Sequence, residues 1–267
     1  MTNQSSSISR VEPVKTFTVD ALPVRIYKAE VEMAHDVTSI AEEYLCQTIS
    51  RQGSAAVILA TGNSQIKFLQ NLVRSGLVDW SKVTLFHMDE YLGIKADHKS
   101  SFRHYLRERV ESTLKPKVFH YIQGDCLLPF DEAARYAKLL EAQPIDLCCL
   151  GIGENGHLAF NDPPVANFED PYKLKLVQLD DPCKMQQVRE GHWPSLEAVP
   201  PYAFSLTIPA LCSARKLICV APEKRKAVAV KATLQGPIST QCPASVLRRQ
   251  SHATLFLDLD SASLLGM

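Results

Sequence analysis

Apolar residues along the chain fall into short unbroken runs set between longer amphipathic stretches. VRIYKA (24–29) predicts a strand and VEMAHDVTSIAEEYLCQTISRQ (31–52) a long helix. AAVILAT (55–61) is a strand too apolar throughout to keep one face in water, and SQIKFLQNLVRSG follows as a helix closed by Gly76. The alternation continues through KVTLFHMD (82–89), the helix SSFRHYLRERVESTL, KVFHYI (117–122), the helix FDEAARYAKLLEAQ and the strand IDLCCLGIG (145–153). KLKLVQL (173–179) has strand character, and YAFSLTI, KLICVA and ATLFLDLD supply three more strands. EKRKAVAVKATLQG reads as a helix ending at Gly236, and PASVLRRQ as a short helix. Strands hidden on both faces and separated by helices predict an α/β fold, a Rossmann-like and mostly parallel sheet with helices on both faces.

The boundaries follow from the same pattern. Residues 1–13 are polar and predict a disordered tail, leaving 14–267 as a single domain without internal repeats. Within it, 164–200 is the least regular stretch and predicts a lid-like segment over a site.

Composition removes several function classes. Lys plus Arg and Asp plus Glu both number 29, so no global field points to nucleic acid or to a membrane surface. No run approaches the roughly 20 apolar residues of a membrane span, and the first residues, MTNQSSSISRVEP, lack the apolar core of a signal peptide. The eight cysteines show no zinc spacing, and Cys148, Cys149 and Cys219 lie in apolar runs, as reduced core thiols would. A cytoplasmic setting is expected.

Ligands of parallel sheets sit beyond the carboxyl ends of the strands, so chemistry is sought at the strand exits. In TGNSQ, the residues Thr61, Gly62, Asn63 and Ser64 form a strand-to-helix turn whose free N–H groups and hydroxyls suit a phosphate; a merely well-capped helix is the alternative. Asp89 and Glu90 leave the next strand side by side, and on an extended chain one of them faces the cleft as a candidate general base. After IDLCCLGIG comes ENGHLAFNDP, in which His157 can move protons while Asn155 and Asp162 can hold its tautomer or its charge. Cations crowd the start of the helix EKRKAVAV, where a bound anion would offset the helix dipole; Lys224 and Arg225 read as a solvated face.

Taken together and in this order, TGNSQ, MDEYLG, GIGENGHLAFNDP, RKAVAV and GPISTQCPASVL resemble the glucosamine-6-phosphate deaminase/isomerase family, whose relatives include 6-phosphogluconolactonases. The resemblance runs from about Val24 to Leu259, and Ala159-Phe160-Asn161 favours the deaminase branch. It implies an aldose–ketose isomerisation with loss of ammonia from an amino-sugar 6-phosphate, most simply glucosamine 6-phosphate. By the same resemblance Asp89 takes the C2 proton, His157 assists ring opening, and the TGNSQ turn with Lys226 grips the 6-phosphate. No metal and no organic cofactor are implied, and the partner is a small sugar phosphate. The family has monomeric and hexameric members, so a homo-oligomer is compatible with the sequence.

Three positions depart from the family pattern. Asn155 stands where the deaminases usually carry Asp, which would leave the histidine a neutral partner, and Asp162 stands where they carry Glu. The phosphate-binding arginine of the lid falls near Gly191 without a gap; Arg189 is the match with one, and Lys184 a further substitute. Two other readings stay open, a lactone hydrolase using His157 as base and a non-catalytic sugar-phosphate sensor.

Overall fold

The computed structural model describes residues 11–266, so positions 1–10 of the expected tail lie outside the described residues. The strands are β1 (Lys15–Val19), β2 (Leu22–Tyr27), β3 (Ala55–Leu59), β4 (Val83–His87), β5 (Asp89–Tyr91), β6 (Val118–His120), β7 (Leu147–Gly151), β8 (Leu174–Gln178), β9 (Tyr202–Leu206), β10 (Lys216–Val220) and β11 (Ala253–Asp258). The helices are α1 (Glu30–Gln52), α2 (Ile66–Ser75), α3 (Phe102–Leu106), α4 (Ser112–Leu114), α5 (Pro129–Glu141), α6 (Asp181–Arg189), α7 (Ile208–Cys212) and α8 (Ala227–Gln235).

Eight strands form one sheet in the order β1-β2-β11-β10-β7-β3-β4-β6, parallel except for β1. The expected α/β architecture is therefore present, and the apolar runs are explained by it. Along β3, Ala55, Val57 and Leu59 enter one core with Met33 and Leu45 of α1 and Phe68 of α2, while Ala56 and Ile58 enter the core on the opposite face. Every residue of such a strand is buried because both faces are covered. The polar entry of β7 is also specified: Asp146 accepts hydrogen bonds from the Ala56 amide at 2.9 Å and from Arg215 Nη1 at 2.9 Å.

From β3 the chain builds outward through β4 to β6; it then returns to place β7 on the other side of β3 and builds outward through β10 to β11. The crevice between the carboxyl ends of β3 and β7 is thus the point where strand order reverses. TGNSQ follows β3 and ENGHLAFNDP follows β7.

Three expectations are corrected. β1 is an additional strand, paired antiparallel with β2 around Asp20 and Ala21; it is an edge strand with no fully buried residue, so it carries little hydrophobic signal. KVTLFHMD is not one strand, because the chain leaves the large sheet at Met88 and Asp89 opens β5. β5, β9 and β8 form a separate antiparallel sheet, joined to the first where the Leu206 amide donates to the Met88 carbonyl at 2.7 Å. YAFSLTI therefore belongs to the small sheet. The stretch 164–200 supplies β8 to that sheet and packs its remainder on it, with α6 capped by the Asp180 side chain and with Trp193 and Val199 buried against Tyr91, Phe102 and Phe160.

Candidate active site

A cleft of about 560 Å³, counting its open mouth, lies at the crevice and is lined by Thr61, Gly62, Asn63, Ser64, Asp89, Gly153, His157 and Lys226. Asn155, Asp162 and Arg189 are not in its wall, and the structure gives each a different place.

His157 is set by the glycine before it. A Cβ on Gly153 would stand 2.2 Å from His157 Cε1 and 2.3 Å from both ring nitrogens, so the imidazole lies flat on bare backbone. The Gly153 amide donates to the His157 carbonyl at 3.0 Å, which closes the turn under the ring. The neutral-partner expectation for His157 is corrected. Its Nδ1 is 2.8 Å from Oδ1 of Asp162, although the N–H direction is poorly aligned for a hydrogen bond. Asn155 stands behind this pair, donating through Nδ2 to Asp162 Oδ1 at 2.8 Å and accepting the His157 amide on Oδ1 at 3.1 Å. Burial opposes ionisation of Asp162, yet the His157 charge beside it, with the Asn155 hydrogen bond, holds its carboxyl below the usual range. A carboxylate is therefore kept behind the imidazole, and the shorter Asp162 is the group that supplies it.

The next residues anchor the turn. Asn161 Nδ2 donates to the Leu158 and Leu206 carbonyls, each at 2.8 Å, and the Phe160 amide donates to Ser205 Oγ at 3.1 Å. Ala159, in the cleft wall, takes the left-handed conformation at φ 52° that these contacts impose.

Asp89 and Glu90 diverge as adjacent strand residues must. Asp89 lines the cleft, and its Oδ1 is buried without a hydrogen-bond partner. Burial raises its carboxyl well above the usual range, and the Glu90 charge adds to this. Glu90 points into the body and accepts from Ser101 Oγ at 2.7 Å, from the Arg103 amide at 3.0 Å and from the Phe102 amide at 3.1 Å. It thus fixes the start of α3, with the Arg103 guanidinium beside it at 3.4 Å.

In the same cleft wall, Gly62 takes φ 94°, a conformation that leaves the following amides of Asn63 and Ser64 at the start of a helix without a side-chain cap. Lys226 faces the same space while only 3% exposed. Burial lowers its ammonium from the usual range against the pull of Glu190, and the Arg225 charge lowers it further. Arg225 is not a solvated cation as expected, since it pairs with Glu223 at 2.7 Å, with Glu154 at 3.6 Å and with Glu190. Arg189 is half exposed and pairs with Glu154 outside the cleft, while Lys184 pairs with Asp181 at 3.2 Å.

The segment 164–200 instead contributes Gln186, Gln187 and Glu190 to the wall, residues that sequence reasoning missed. Tyr91 donates to Gln187 Oε1 at 2.9 Å and Gln186 Nε2 donates to Glu190 Oε1 at 2.8 Å, so each is held in place. Burial opposes the ionisation of Glu190, but His192, Lys226 and Arg225 bring its carboxyl down to about 2. The one signal for these residues in the sequence is the polar run at the end of a helix in an otherwise irregular stretch.

Residues 28–256 match the family model described as glucosamine-6-phosphate isomerases/6-phosphogluconolactonase. The glucosamine-6-phosphate deaminase of Exiguobacterium sibiricum is 33% identical over 237 residues, which cover 88% of this chain and 92% of that one. That of Listeria monocytogenes is 36% identical over 207 residues, covering 78% and 86%. Among solved structures, a monomeric glucosamine-6-phosphate deaminase superposes with a TM-score of 0.83 at 26% identity, covering 90% of this chain and 99% of that chain. The 6-phosphogluconolactonase of Shewanella baltica superposes with a TM-score of 0.73 at 17% identity, covering 92% and 99%, which shows a shared fold. By sequence and by fold, this chain belongs to the glucosamine-6-phosphate isomerase/6-phosphogluconolactonase family and is a glucosamine-6-phosphate deaminase-like enzyme.

Proposed function

We propose that the chain converts glucosamine 6-phosphate and water into fructose 6-phosphate and ammonia. The observation that carries this reading is the composition of one cleft, whose wall holds Asp89 and His157 together with Ser64 and Lys226. Abstraction of a proton next to a carbonyl needs a base, a second acid/base group and a handle that fixes the substrate. Asp89 serves as the base: its raised carboxyl is a stronger proton acceptor than an exposed one, and its unpartnered Oδ1 loses no hydrogen bond when it takes the C2 proton. His157 serves ring opening, relaying a proton between the anomeric hydroxyl and the ring oxygen, with Asp162 stabilising the charged imidazole. Asn63, Ser64 and Lys226 hold the phosphate, as the residues 164–200 close over the sugar as a lid within a single domain. Among the described residues no helix is long and apolar enough to cross a membrane, and eight free thiols suit a reducing compartment such as the cytoplasm.

Ammonia release and fructose 6-phosphate formation are measured with glucosamine 6-phosphate, galactosamine 6-phosphate and 6-phosphogluconolactone in parallel. Turnover of the first alone supports the reading, and turnover of the lactone alone supports the hydrolase. Thermal stabilisation by the sugar phosphates without any turnover supports a sensor.

A further inference from the structure

Beside the His157 imidazole stands a thiol for which the reaction above has no use. Cys183, in the first turn of α6, is 1% exposed. Its Sγ, His157 Nδ1 and a carboxylate oxygen of Asp162 lie within 4.8 Å of one another, and all three residues are buried. Two of these atoms lack an aligned hydrogen bond, namely His157 Nδ1 and Asp162 Oδ2. Asp162 is fully buried, where an oxygen without a donor is unfavourable, and the facing thiol is at best a weak donor. A sulfur, a nitrogen and an oxygen therefore converge on one point with unused valence.

We propose that His157, Asp162 and Cys183 form a binding site for one thiophilic divalent cation of the zinc class, and that its occupancy switches the enzyme off. The ligand atoms of one tetrahedral zinc stand about 3.3–3.6 Å apart, so the trio needs only side-chain adjustment to close on an ion. Asn155 already holds Asp162 from behind through Oδ1, which is the usual support of a ligating carboxylate. His157 is the member of the trio that lines the cleft, so an ion enters past the imidazole. A set of thiolate, imidazole and carboxylate selects zinc over magnesium or calcium. On binding, the Cys183 S–H bond breaks, its proton passes to solvent, and a sulfur–metal bond forms while the imidazole and carboxylate donate lone pairs; nothing is oxidised or reduced. The N–H bond at His157 Nδ1 breaks as well and its proton also passes to solvent, so the ion takes that proton's place beside Asp162, the imidazole can no longer be charged and the proton relay stops. Such an ion is an inhibitor and takes no part in the reaction.

Metal-free, reduced full-length protein is titrated with Co²⁺ alone and then with Zn²⁺. A near-ultraviolet thiolate-to-cobalt band that saturates at one equivalent and is displaced by Zn²⁺ is expected. Cys183→Ser should lose the band, and Cys46→Ser, which removes the exposed thiol, should keep it. If Cys183→Ser does not fold, His157→Ala provides the same comparison by removing the nitrogen ligand. Zn²⁺ should abolish turnover reversibly on chelation, and Mg²⁺ should not. Absence of the band, or a band that survives Cys183→Ser, would overturn the proposal. The binding readouts do not depend on the substrate, so they stand or fall apart from the deaminase reading.

Discussion

Replacing Gly153 by alanine tests whether the imidazole is placed by bare backbone. Gly153 does not have a positive φ, so alanine brings no backbone strain and the perturbation is one methyl group. That methyl would lie 2.2–2.3 Å from three ring atoms of His157, against an ordinary contact of at least 3.4 Å. The ring must therefore retreat by more than 1 Å, roughly the displacement at which catalytic groups lose about 100-fold in rate. In transition-state terms this is about 2.7 kcal/mol, at 1.36 kcal/mol for each factor of ten. Overpacking also destabilises the fold by about 1–3 kcal/mol, which a thermal melt reads separately. The assay is steady-state ammonia release from glucosamine 6-phosphate, with binding of fructose 6-phosphate measured on the same sample. A folded Gly153→Ala protein with wild-type kcat/KM refutes the reasoning, because the ring would then have room that the structure does not provide.

Four further outcomes are expected. Asp89→Asn abolishes turnover while leaving sugar-phosphate affinity largely intact, and an active variant removes Asp89 as the base. Lys226→Ala raises KM about 10- to 100-fold, the worth of one charge-assisted hydrogen bond, with a smaller effect on kcat; equal losses in both would place Lys226 elsewhere. Asn155→Asp puts a second carboxylate where an amide now donates to Asp162 at 2.8 Å, so the two share a proton. The acid limb of the kcat profile should then move to higher pH, and an unchanged profile contradicts the network. Glu42 is buried and its carboxyl is raised by that burial to about 7. The native state thus holds a proton that the unfolded chain has released, so this stability is complete below the unfolded value and is lost as pH rises through about 7. Glu42→Gln should raise the melting temperature at about pH 8 and leave it unchanged at about pH 4, where both states hold the proton; the reverse order counts against the assignment.

Much of this architecture is legible in the chain because strands buried on both faces must be apolar throughout. β3, β4, β7, β10 and β11 stand out for that reason, and the strand-exit rule then leads to Gly62, Asp89 and His157. What stays hidden is set by tertiary contacts. Val83 to Asp89 reads as one strand because nothing local marks Met88, whose carbonyl is claimed by Leu206 more than a hundred residues later. β1 is an exposed edge, and its burial pattern leaves no periodic signal. Asn155 and Asp162 both read as candidate partners of His157, and the motif alone does not say which of them meets the ring. Only the path of the turn brings the later carboxylate to Nδ1 and puts the amide behind it. Arg225 likewise reads as a solvated cation, because its partner Glu190 lies 35 positions away in the chain.

The small antiparallel sheet has a mechanical meaning. β5 begins with Asp89, and β8, two strands away in the same hydrogen-bonded ladder, leads directly into α6, which carries Gln186 and Gln187. Tyr91 ties the two ends together through Gln187. The position of α6 is therefore not set by its own loop alone, because the same ladder carries the strand that holds the carboxylate. The cleft wall supplied by α6 and the carboxylate at Asp89 are thus set by one hydrogen-bonded ladder, which meets the large sheet where Leu206 bonds Met88.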